Sequence, residues 1–433
     1  MEPVSWGIIG FGVMIGMIIM GIHIGVAMAV VGFLGMAAIT SVNAAFGLLQ
    51  TAPYSTITSY SLSVILLFTL MGQLAYHSGL SNDLYKAAFT WLGHLPGGLG
   101  MSTVVACAGI GALCGSTPAT TATMGIVALP EMKRFGYEGG FAAATVACSG
   151  TLGVMVPPSV LLMLYSIMCS LSIGKAFAAV VVPGMTLLLL YMLVACLTVL
   201  RNPALGPRGP KSTWQERFQA LYRVKDLVFL IVLVIGGMLS GFFTVNEGGA
   251  VGVAGALIAA AFRGTLNFPM LKRALLDAGK TSAMIFMIII GAMVFGYFIA
   301  ISRVPGELAQ FFGDLPFHRN FVLIGMIALY IFLGALMDEL AMLLLTIPIF
   351  FPVTQALGVD PYWFGVIIVS VMAMGMVCPP VGMCVFVIAG IDKSIPITRI
   401  YRGIWPYFAA ILALIILLFI IPDLALWLPS VLF

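Results

Sequence analysis

The chain carries the same sequence skeleton twice, once in each half. The first copy covers residues 111–158 and the second covers residues 334–380. Each copy begins with Gly-Ala-Leu and ends with Gly-x-x-x-Pro-Pro, and the interval from the first glycine to the first of the paired prolines is 46 residues in one copy and 45 in the other. Glycine and proline both disfavour a continuous helix. The fold must therefore accommodate two equivalent, locally unwound segments.

Composition places most of this chain in lipid. Of the 433 residues, 62% are hydrophobic and 8% are charged, whereas about a quarter of the residues of an ordinary soluble domain are charged. Backbone groups in a bilayer must be satisfied internally, and the long apolar runs favour helices over alternating strands, so we predict an all-α polytopic membrane protein. In such a protein, a helix-breaking segment repeated once per half is typical of secondary transporters.

Several other functional classes find no support in the sequence. The net charge of +4 comes without a basic patch interleaved with aromatic residues, so we expect no nucleic-acid partner. His23, His77, His94 and His318 have no acidic partner at a useful spacing, and no glycine-rich phosphate loop is present. We therefore expect neither an enzyme nor an ATP-driven pump. The seven cysteines lie in apolar segments without metal-ligand spacing and are expected to be free thiols.

A polar stretch divides the chain into two comparable halves. We interpret residues 1–200 as a first inverted repeat, residues 201–226 as a cytoplasmic linker and residues 227–433 as a second inverted repeat. Two shorter segments, 81–94 and 267–280, are amphipathic and are expected to lie at the membrane interface.

Each half contains a long apolar segment that is too long for one crossing and too short for two. Residues 98–130 and 320–352 span about 33 residues each with a polar kink in the middle, which predicts re-entrant helical hairpins. Residues 138–170 and 361–391 contain the Gly-x-x-x-Pro-Pro motifs and are predicted to be broken helices that unwind in mid-membrane. Irregular backbone at that depth is tolerated where it lines a cavity or is buried in protein. The apolar run 403–430 is predicted to be a single span.

The distribution of basic residues tests the inversion. Five crossings per half, an odd number, reverse the orientation of the second half. Placing residues 201–226 in the cytoplasm puts 16 of the 19 Lys and Arg residues inside, with Lys175, Arg303 and Arg319 outside. This topology places both termini in the periplasm.

The tip of the first hairpin has the sequence of a helix start. Ser116 and Thr117 are residue types that cap helices, and Pro118 suits the first turn. A half-helix that begins inside the membrane offers free N–H groups and a positive dipole end to an anion. The alternative is an ordinary Ser/Thr-rich contact between helices.

The second hairpin tip and the two breaks offer oxygen atoms. Asp338 either caps the second half-helix or takes part in ion coupling or gating, whereas a structural role is favoured for the adjacent Glu339. The unwound stretches 153–159 and 375–381 expose carbonyl groups, which suit a hard cation such as Na⁺, one per repeat. Simple kinking of the helices is the alternative.

At these residues the chain resembles the large membrane subunit, called DctM-like or M, of tripartite ATP-independent periplasmic (TRAP) transporters. The motifs that carry the resemblance are Gly115-Ser-Thr-Pro-Ala-Thr120, Gly153-x-x-x-Pro-Pro-Ser159, Gly334-x-x-Met-Asp338 and Gly375-x-x-Cys-Pro-Pro-Val-Gly382. The resemblance implies an elevator-type fold, related to that of the ion transporter superfamily, in which both hairpins and both broken helices move against a scaffold. It also implies the bacterial inner membrane, Na⁺ symport, a soluble periplasmic substrate-binding protein and a small four-helix membrane subunit.

The resemblance further implies particular ligands. Two Na⁺ sites are implied; the first comprises Gly111, Cys114, Gly153, Val156 and Pro158, and the second comprises Gly334, Met337, Gly375, Cys378 and Val381. Relatives commonly carry small hydroxyl residues at the positions of Cys114 and Cys378, so the assignment depends on ligation through backbone carbonyls. Ser116 and Thr117 are expected to meet the acidic group of the substrate, with Ser159 and Asp338 near it.

The leading hypothesis is a Na⁺-coupled importer of a small organic anion, a carboxylate or sulfonate, delivered by a periplasmic binding protein. A stand-alone elevator carrier that works without a binding protein is the second hypothesis. A passive channel is the third, and it is disfavoured because the polar residues cluster at mid-depth instead of lining a continuous pore.

Overall fold

Helices make up most of the chain that the structure describes, and the longest irregular stretch there covers residues 206–213. The computed structural model describes residues 2–314, 319–335 and 337–433, and these contain no strand. The all-α fold predicted from composition is confirmed. His318, one of the histidines considered above, and Leu336, in the tip of the second hairpin, lie outside the described residues.

The first half runs from an apolar helical pair through a hairpin to a broken helix. Its helices are α1 (Pro3–Ile19), α2 (Ile24–Ile39), α3 (Val42–Ile57), α4 (Tyr60–His77), α5 (Leu80–Leu92), α6 (Gly98–Cys114), α7 (Thr117–Arg134), α8 (Gly139–Gly150), α9 (Leu152–Met155), α10 (Val160–Met168) and α11 (Ile173–Arg201). A short 3₁₀ turn, Pro203–Leu205, follows.

The second half repeats the order of hairpin and broken helix. Its helices are α12 (Trp214–Ile231), α13 (Gly237–Leu239), α14 (Val245–Phe262), α15 (Phe268–Ile301), α16 (Val304–Asp314), α17 (Arg319–Gly334), α18 (Glu339–Ala356), α19 (Pro361–Gly375), α20 (Met383–Ile391), α21 (Ile397–Ile420) and α22 (Asp423–Leu432). A π-helical segment, Val232–Gly236, joins α12 to α13. Seven helical stretches among the described residues are long and apolar enough to cross a bilayer.

The predicted hairpins and broken helices are present. The segment 98–130 forms α6 and α7, which are separated by two residues, and 320–352 forms α17 and α18. The helical path of 138–170 breaks after Met155, and that of 361–391 breaks after Gly375.

Two helices were not expected from the sequence. Helix α3 lies in a segment that we left unassigned, where Asn43, Gln50 and Thr51 interrupt the apolar character. The Ser41 hydroxyl caps it by accepting a hydrogen bond from the Ala44 amide at 3.2 Å. The short helix α16 likewise lay in a region that we left unassigned.

The linker is also more ordered than its polarity indicated. Its second part is helical, because α12 begins at Trp214, inside the predicted linker 201–226. A capping box starts this helix: the Thr213 hydroxyl accepts from the Glu216 amide, and the Glu216 carboxylate accepts from the Thr213 amide at 2.7 Å.

Two predicted boundaries were wrong. The interfacial segment 267–280 and the span after it form one 34-residue helix, α15. Its polar residue Asp277 contacts His77 of α4 at 2.9 Å, which gives the carboxylate a partner without a break in the helix. Conversely, the run 403–430 divides into α21 and α22, because Pro422 has no N–H group with which to continue the helix.

One group of helices packs through glycines. A Cβ atom on Gly25 of α2 would lie 2.7 Å from the Met287 carbonyl oxygen of α15, and one on Gly32 would lie 2.7 Å from the Phe295 amide nitrogen. Small residues allow helix backbones to approach this closely in a membrane. We call this group, α1–α5 and α12–α16, the scaffold.

The hairpins and broken helices form a second, interwoven group. Helix α7 of the first hairpin packs on α20 of the second broken helix, where the Thr121 hydroxyl lies 3.3 Å from the Cys384 sulfur and Lys133 pairs with Asp392. Reciprocally, Tyr165 of α10 makes an edge-to-face contact with Phe351 of α18. We call this group, α6–α11 and α17–α22, the core body.

Candidate functional site

The tip of the first hairpin starts a half-helix in the interior of the protein. Helix α6 ends at Cys114, and Gly115 follows in the left-handed region with a φ of 60°. Glycine adopts this conformation without steric cost. Ser116 is extended and precedes α7, while Pro118 occupies the first turn. The predicted helix start is therefore present, and the Ser116 side chain forms no capping hydrogen bond with the helix.

The first hairpin tip rests directly on the first helix break. A Cβ atom on Gly111 would lie 2.6 Å from Gly153 Cα, so the two backbones touch. The Val160 amide, just after the break, donates to the Gly115 carbonyl at 3.2 Å. The Pro157–Pro158 peptide bond between these contacts is cis.

The second hairpin and the second break repeat this contact. A Cβ atom on Gly375, at the end of α19, would lie 2.7 Å from Gly334 Cα, at the end of α17. The Pro379–Pro380 bond in this break is also cis. The glycines that begin the repeated skeleton thus pack on the glycines of its Gly-x-x-x-Pro-Pro motif in both halves.

The breaks present carbonyl oxygens that the protein itself does not use. No hydrogen bond among the described residues reaches the carbonyl groups of Val156, Pro157, Pro158, Cys378 or Pro379. Neutral backbone oxygens of this kind are ligands for a hard cation.

Each of the two predicted sets of Na⁺ ligands lies at one of these contacts between a hairpin tip and a helix break. Gly111, Cys114, Gly153, Val156 and Pro158 belong to the first tip and the break beneath it. Gly334, Met337, Gly375 and Cys378 belong to the second. Val381 is 40% exposed, and its carbonyl accepts a hydrogen bond from the Tyr401 hydroxyl at 2.8 Å, so a cation at this carbonyl would share it with Tyr401.

A cavity of about 100 Å³ lies where the two hairpin tips meet the scaffold. Ser116 and Asp338, both predicted to be near the substrate, line it. Thr117 and Ser159 are fully buried behind this surface. The Ser159 hydroxyl accepts from the Leu162 amide at 3.3 Å and so caps α10.

Scaffold residues complete the cavity. Thr69 and Gln73 of α4 and Thr281 of α15 line it with neutral polar groups. Sequence reasoning missed them because each lies in an ordinary apolar span, and their shared position follows from the packing of α4 against α15. Gly72 of α4 brings the scaffold close, since a Cβ atom there would lie 2.9 Å from Cys114 Cα.

The two adjacent carboxylates have different environments. The Asp338 carboxylate caps α18 by accepting from the Leu340 amide at 3.1 Å. Glu339 is 3% exposed, and its carboxyl group faces the backbone amide and hydroxyl of Thr117 in the other hairpin. Neither Glu339 Oε2 nor Thr117 Oγ1 reaches hydrogen-bonding geometry with any described group.

A second, larger cavity lies at one end of this arrangement. It has a volume of about 880 Å³ and is lined by α4, α5, α7 and α15. Lys86, Arg134 and Arg273 line it together with Glu131, which pairs with Arg134, so basic side chains outnumber acidic ones there.

Comparison with known proteins gives a consistent result. The family model described as "Tripartite ATP-independent periplasmic transporter, DctM component" matches residues 11–424. The C4-dicarboxylate TRAP transporter large permease protein DctM of Rhodobacter capsulatus is 32% identical over 438 residues, covering 98% of each chain. The isethionate TRAP transporter permease protein DctMQ of Oleidesulfovibrio alaskensis is 31% identical over 404 residues, covering 90% of this chain and 62% of that protein.

A solved structure shares the fold. The crystal structure of the Alcanivorax borkumensis YdaH transporter superposes with a TM-score of 0.60 at 16% identity, covering 87% of this chain and 89% of that one. At this identity the likeness concerns the fold alone.

Proposed function

The chain belongs to the DctM component family of tripartite ATP-independent periplasmic transporters, and we propose that it couples the import of a small organic anion to the entry of Na⁺. It is thus a large permease subunit in a membrane. Permeases of this family normally work with a small membrane subunit and a periplasmic binding protein. We propose both as partners here, the first as a four-helix chain and the second as the protein that delivers the substrate.

The observation that carries the Na⁺ proposal is the recurrence of one contact in both repeats. Gly111 packs on Gly153, Gly334 packs on Gly375, and each contact lies beside carbonyl oxygens without hydrogen bonds. Simple kinking would not place a hairpin tip against each break. Two Na⁺ ions, one per repeat, would bind to oxygens from a tip and a break together. Binding of the ions would therefore hold each hairpin against its broken helix.

The substrate proposal follows from the cavity. An acidic group at Ser116 would face the free N–H groups at the start of α7. The relatives named above act on C4-dicarboxylates and isethionate, that is, on carboxylates and a sulfonate. The volume of about 100 Å³ limits the substrate to a small molecule.

We further propose an elevator movement of the core body against the scaffold. The cavity lies at the boundary of these two groups, so sliding of one group carries the site along the membrane normal. The larger cavity, which is lined by Lys86, Arg134 and Arg273, would then open to the cytoplasm, in keeping with the positive-inside rule. The Phe433 ring lies 5.9 Å from the Lys175 ammonium, so both lie on the same side of the membrane, which we propose is the periplasmic side.

Reconstitution tests this proposal. The chain is assembled in proteoliposomes with the small membrane subunit and the periplasmic binding protein of the same organism, and uptake of the binding protein's ligand is measured with and without an inward Na⁺ gradient. We expect Na⁺-dependent uptake that Ser116→Ala or Pro158→Ala abolishes without loss of expression. Ser430→Ala, at an exposed serine near the C-terminus, is the control and should transport normally.

Three results would contradict parts of the proposal. Full uptake by the Ser116 and Pro158 variants would refute the site assignment. Equal uptake without the binding protein would indicate a stand-alone carrier. Flux that persists without an ion gradient and exceeds carrier rates would indicate a channel.

A further inference from the structure

Gln73 is a polar side chain of the scaffold that lines the cavity at the hairpin tips and has no partner in the protein. It lies in α4, one of the helices long and apolar enough to cross a bilayer, and it is half-buried. No hydrogen bond among the described residues includes its side chain, whose amide nitrogen and oxygen both retain accessible surface. Polar side chains within a membrane span are costly and mark functional positions. The carboxamide can therefore bind a molecule in the cavity.

The packing of α4 brings Gln73 to the first hairpin tip. Thr69, Gly72 and Gln73 are three and four residues apart along the helix, or adjacent, and so share one face. A Cβ atom on Gly72 would lie 2.9 Å from Cys114 Cα, so this face rests on the end of α6. Thr69 and Gln73 therefore reach the same cavity that Ser116 lines.

The scaffold side of this cavity has hydrogen-bonding groups that the protein does not use. Ser116 belongs to the core body, so a molecule with its acidic group at Ser116 presents its other end to the scaffold. The Thr281 hydroxyl of the scaffold donates to the Asp277 carbonyl at 3.0 Å. The Thr69 hydroxyl, like the Gln73 amide, has no hydrogen bond among the described residues and retains accessible surface. Gln73 and Thr69 thus have donors to spare for a ligand.

The chemistry of these groups selects a neutral polar partner. A glutamine carboxamide has two N–H donors and a carbonyl acceptor, which pair with a hydroxyl or keto oxygen. None of the described residues that line the cavity is Lys, Arg or His, so a second anionic end at the scaffold would have no cationic side chain beside it. The proposed Na⁺ ions bind to the core body. An alkyl end would leave the carboxamide without a partner, which is costly in a confined site.

We propose that Gln73 is a specificity-determining residue that the scaffold contributes to the substrate site, where its carboxamide binds the hydroxyl or keto oxygen of a small hydroxy or oxo acid. This inference rests on the proposed function, since it takes the acidic end of the substrate to lie at Ser116. The Thr69 hydroxyl, one helical turn away, is a second partner for the same oxygen.

Three pairs of nearly isosteric acids test the inference, each pair differing in a hydroxyl group against a methyl group. The pairs are isethionate and 1-propanesulfonate, 3-hydroxypropionate and butyrate, and 4-hydroxybutyrate and pentanoate, which together cover different chain lengths. Each acid is titrated against the purified full chain with its small membrane subunit in Na⁺ buffer, and binding is read from the rise in melting temperature. No binding protein is present, so its own selectivity does not enter.

We expect the hydroxy acid of at least one pair to bind about three- to tenfold more tightly than its alkyl partner, as one neutral hydrogen bond provides. Gln73→Leu should reduce this ratio to one or below. The Na⁺ titration of the melting temperature without any acid should be unchanged in Gln73→Leu, which also shows that the variant folds. Gln50→Leu, at an exposed glutamine of α3, is the matched control and should keep the wild-type ratio.

Equal binding of the two members of every pair by the wild type, or an unchanged ratio in Gln73→Leu, would overturn the inference, while the binding of either member would leave the anion-carrier proposal standing. A shifted Na⁺ titration in Gln73→Leu without acid would place Gln73 in an ion site and would also overturn it. Absence of binding by all six acids to protein that Na⁺ stabilises would overturn the inference alone, because the uptake assay above still tests the proposed function. If neither the acids nor Na⁺ stabilises the protein, both fail.

Discussion

Gly111→Ala is the substitution that most sharply tests the contact between hairpin tip and helix break. The new Cβ atom would lie 2.6 Å from Gly153 Cα, a backbone atom that cannot rotate away. Since carbon atoms pack at about 3.5–4.0 Å, the tip must move away from the break by roughly 1 Å. Metal–ligand distances tolerate only about 0.2 Å. The substitution should therefore separate the two halves of the proposed first Na⁺ site.

The magnitude follows from the cost of overpacking. An added methyl group in a closely packed core costs about 1–3 kcal/mol. If this cost falls on the ion-bound state, the apparent affinity for Na⁺ drops by roughly 5- to 140-fold. Alanine also favours a helix over glycine by about 1 kcal/mol, so the overall stability without Na⁺ should change little.

The assay is a Na⁺ titration of the melting temperature at constant ionic strength, followed by the same titration of uptake. Gly100→Ala in the same helix is the matched control, because its new Cβ atom would lie 3.3 Å from the Ala195 side chain and meet no backbone atom. In the second repeat, Gly375→Ala should act like Gly111→Ala. Indistinguishable Na⁺ titrations for Gly111→Ala and Gly100→Ala would refute the reasoning.

Three further outcomes are expected. Gly72→Leu places a side chain against the Cys114 backbone, where even a Cβ atom would lie 2.9 Å from Cys114 Cα. The substitution should slow uptake several-fold, while Na⁺ should still stabilise the protein. Normal uptake would argue against a close contact with the scaffold in the transport cycle. Lys133 and, to a lesser extent, Ser394 hold the pKa of the Asp392 carboxyl group below its usual range. This pairing therefore stabilises the fold fully at a pH above the ordinary Asp pKa of about 3.9, and the stabilisation is lost as the pH falls through the lowered pKa. Because the pair is partly exposed, Asp392→Asn should cost less than about 1 kcal/mol at pH 7; a difference from wild type in melting temperature that persists below the lowered pKa would contradict this. Tyr407→Phe removes a buried hydroxyl group that lies 2.9 Å from the Thr145 hydroxyl. The free energy of unfolding, measured with denaturant or heat, should fall by about 0.5–1.5 kcal/mol, and the Na⁺ dependence should not change. A shifted Na⁺ titration would contradict this purely structural role.

The sequence predicted the features that local chemistry determines. The paired prolines at 157–158 and 379–380 remove two adjacent backbone donors and so interrupt a helix. Pro118 suits the first turn of a helix, and α7 begins there although the Ser116 side chain makes no capping hydrogen bond. The hairpins and the broken helices followed from these signals. Their recurrence at a matched interval identified the two halves.

Features that depend on tertiary neighbours did not follow from the sequence. The contact between Gly111 and Gly153 joins residues that no periodicity relates. Helix α15 continues through a polar segment, where Asp277 contacts His77 of α4, a residue remote in the sequence. From the sequence, a structural role was favoured for Glu339. That it faces Thr117 and has one oxygen without a hydrogen-bond donor depends on the approach of the first hairpin, which the sequence does not show.

Movement of the core body against the scaffold is the central claim, and a reversible cross-link across their boundary tests it most directly. A Cβ atom on Gly296 of α15 would lie 4.0 Å from Pro348 Cγ of α18 with no closer neighbour, so cysteines at these two positions suit a short bifunctional thiol reagent. The pair is introduced in a background in which the seven native cysteines are replaced. Cross-linking should stop Na⁺-driven uptake while Na⁺ still raises the melting temperature, and cleavage of the reagent should restore uptake. Unchanged uptake by fully cross-linked protein would contradict the account.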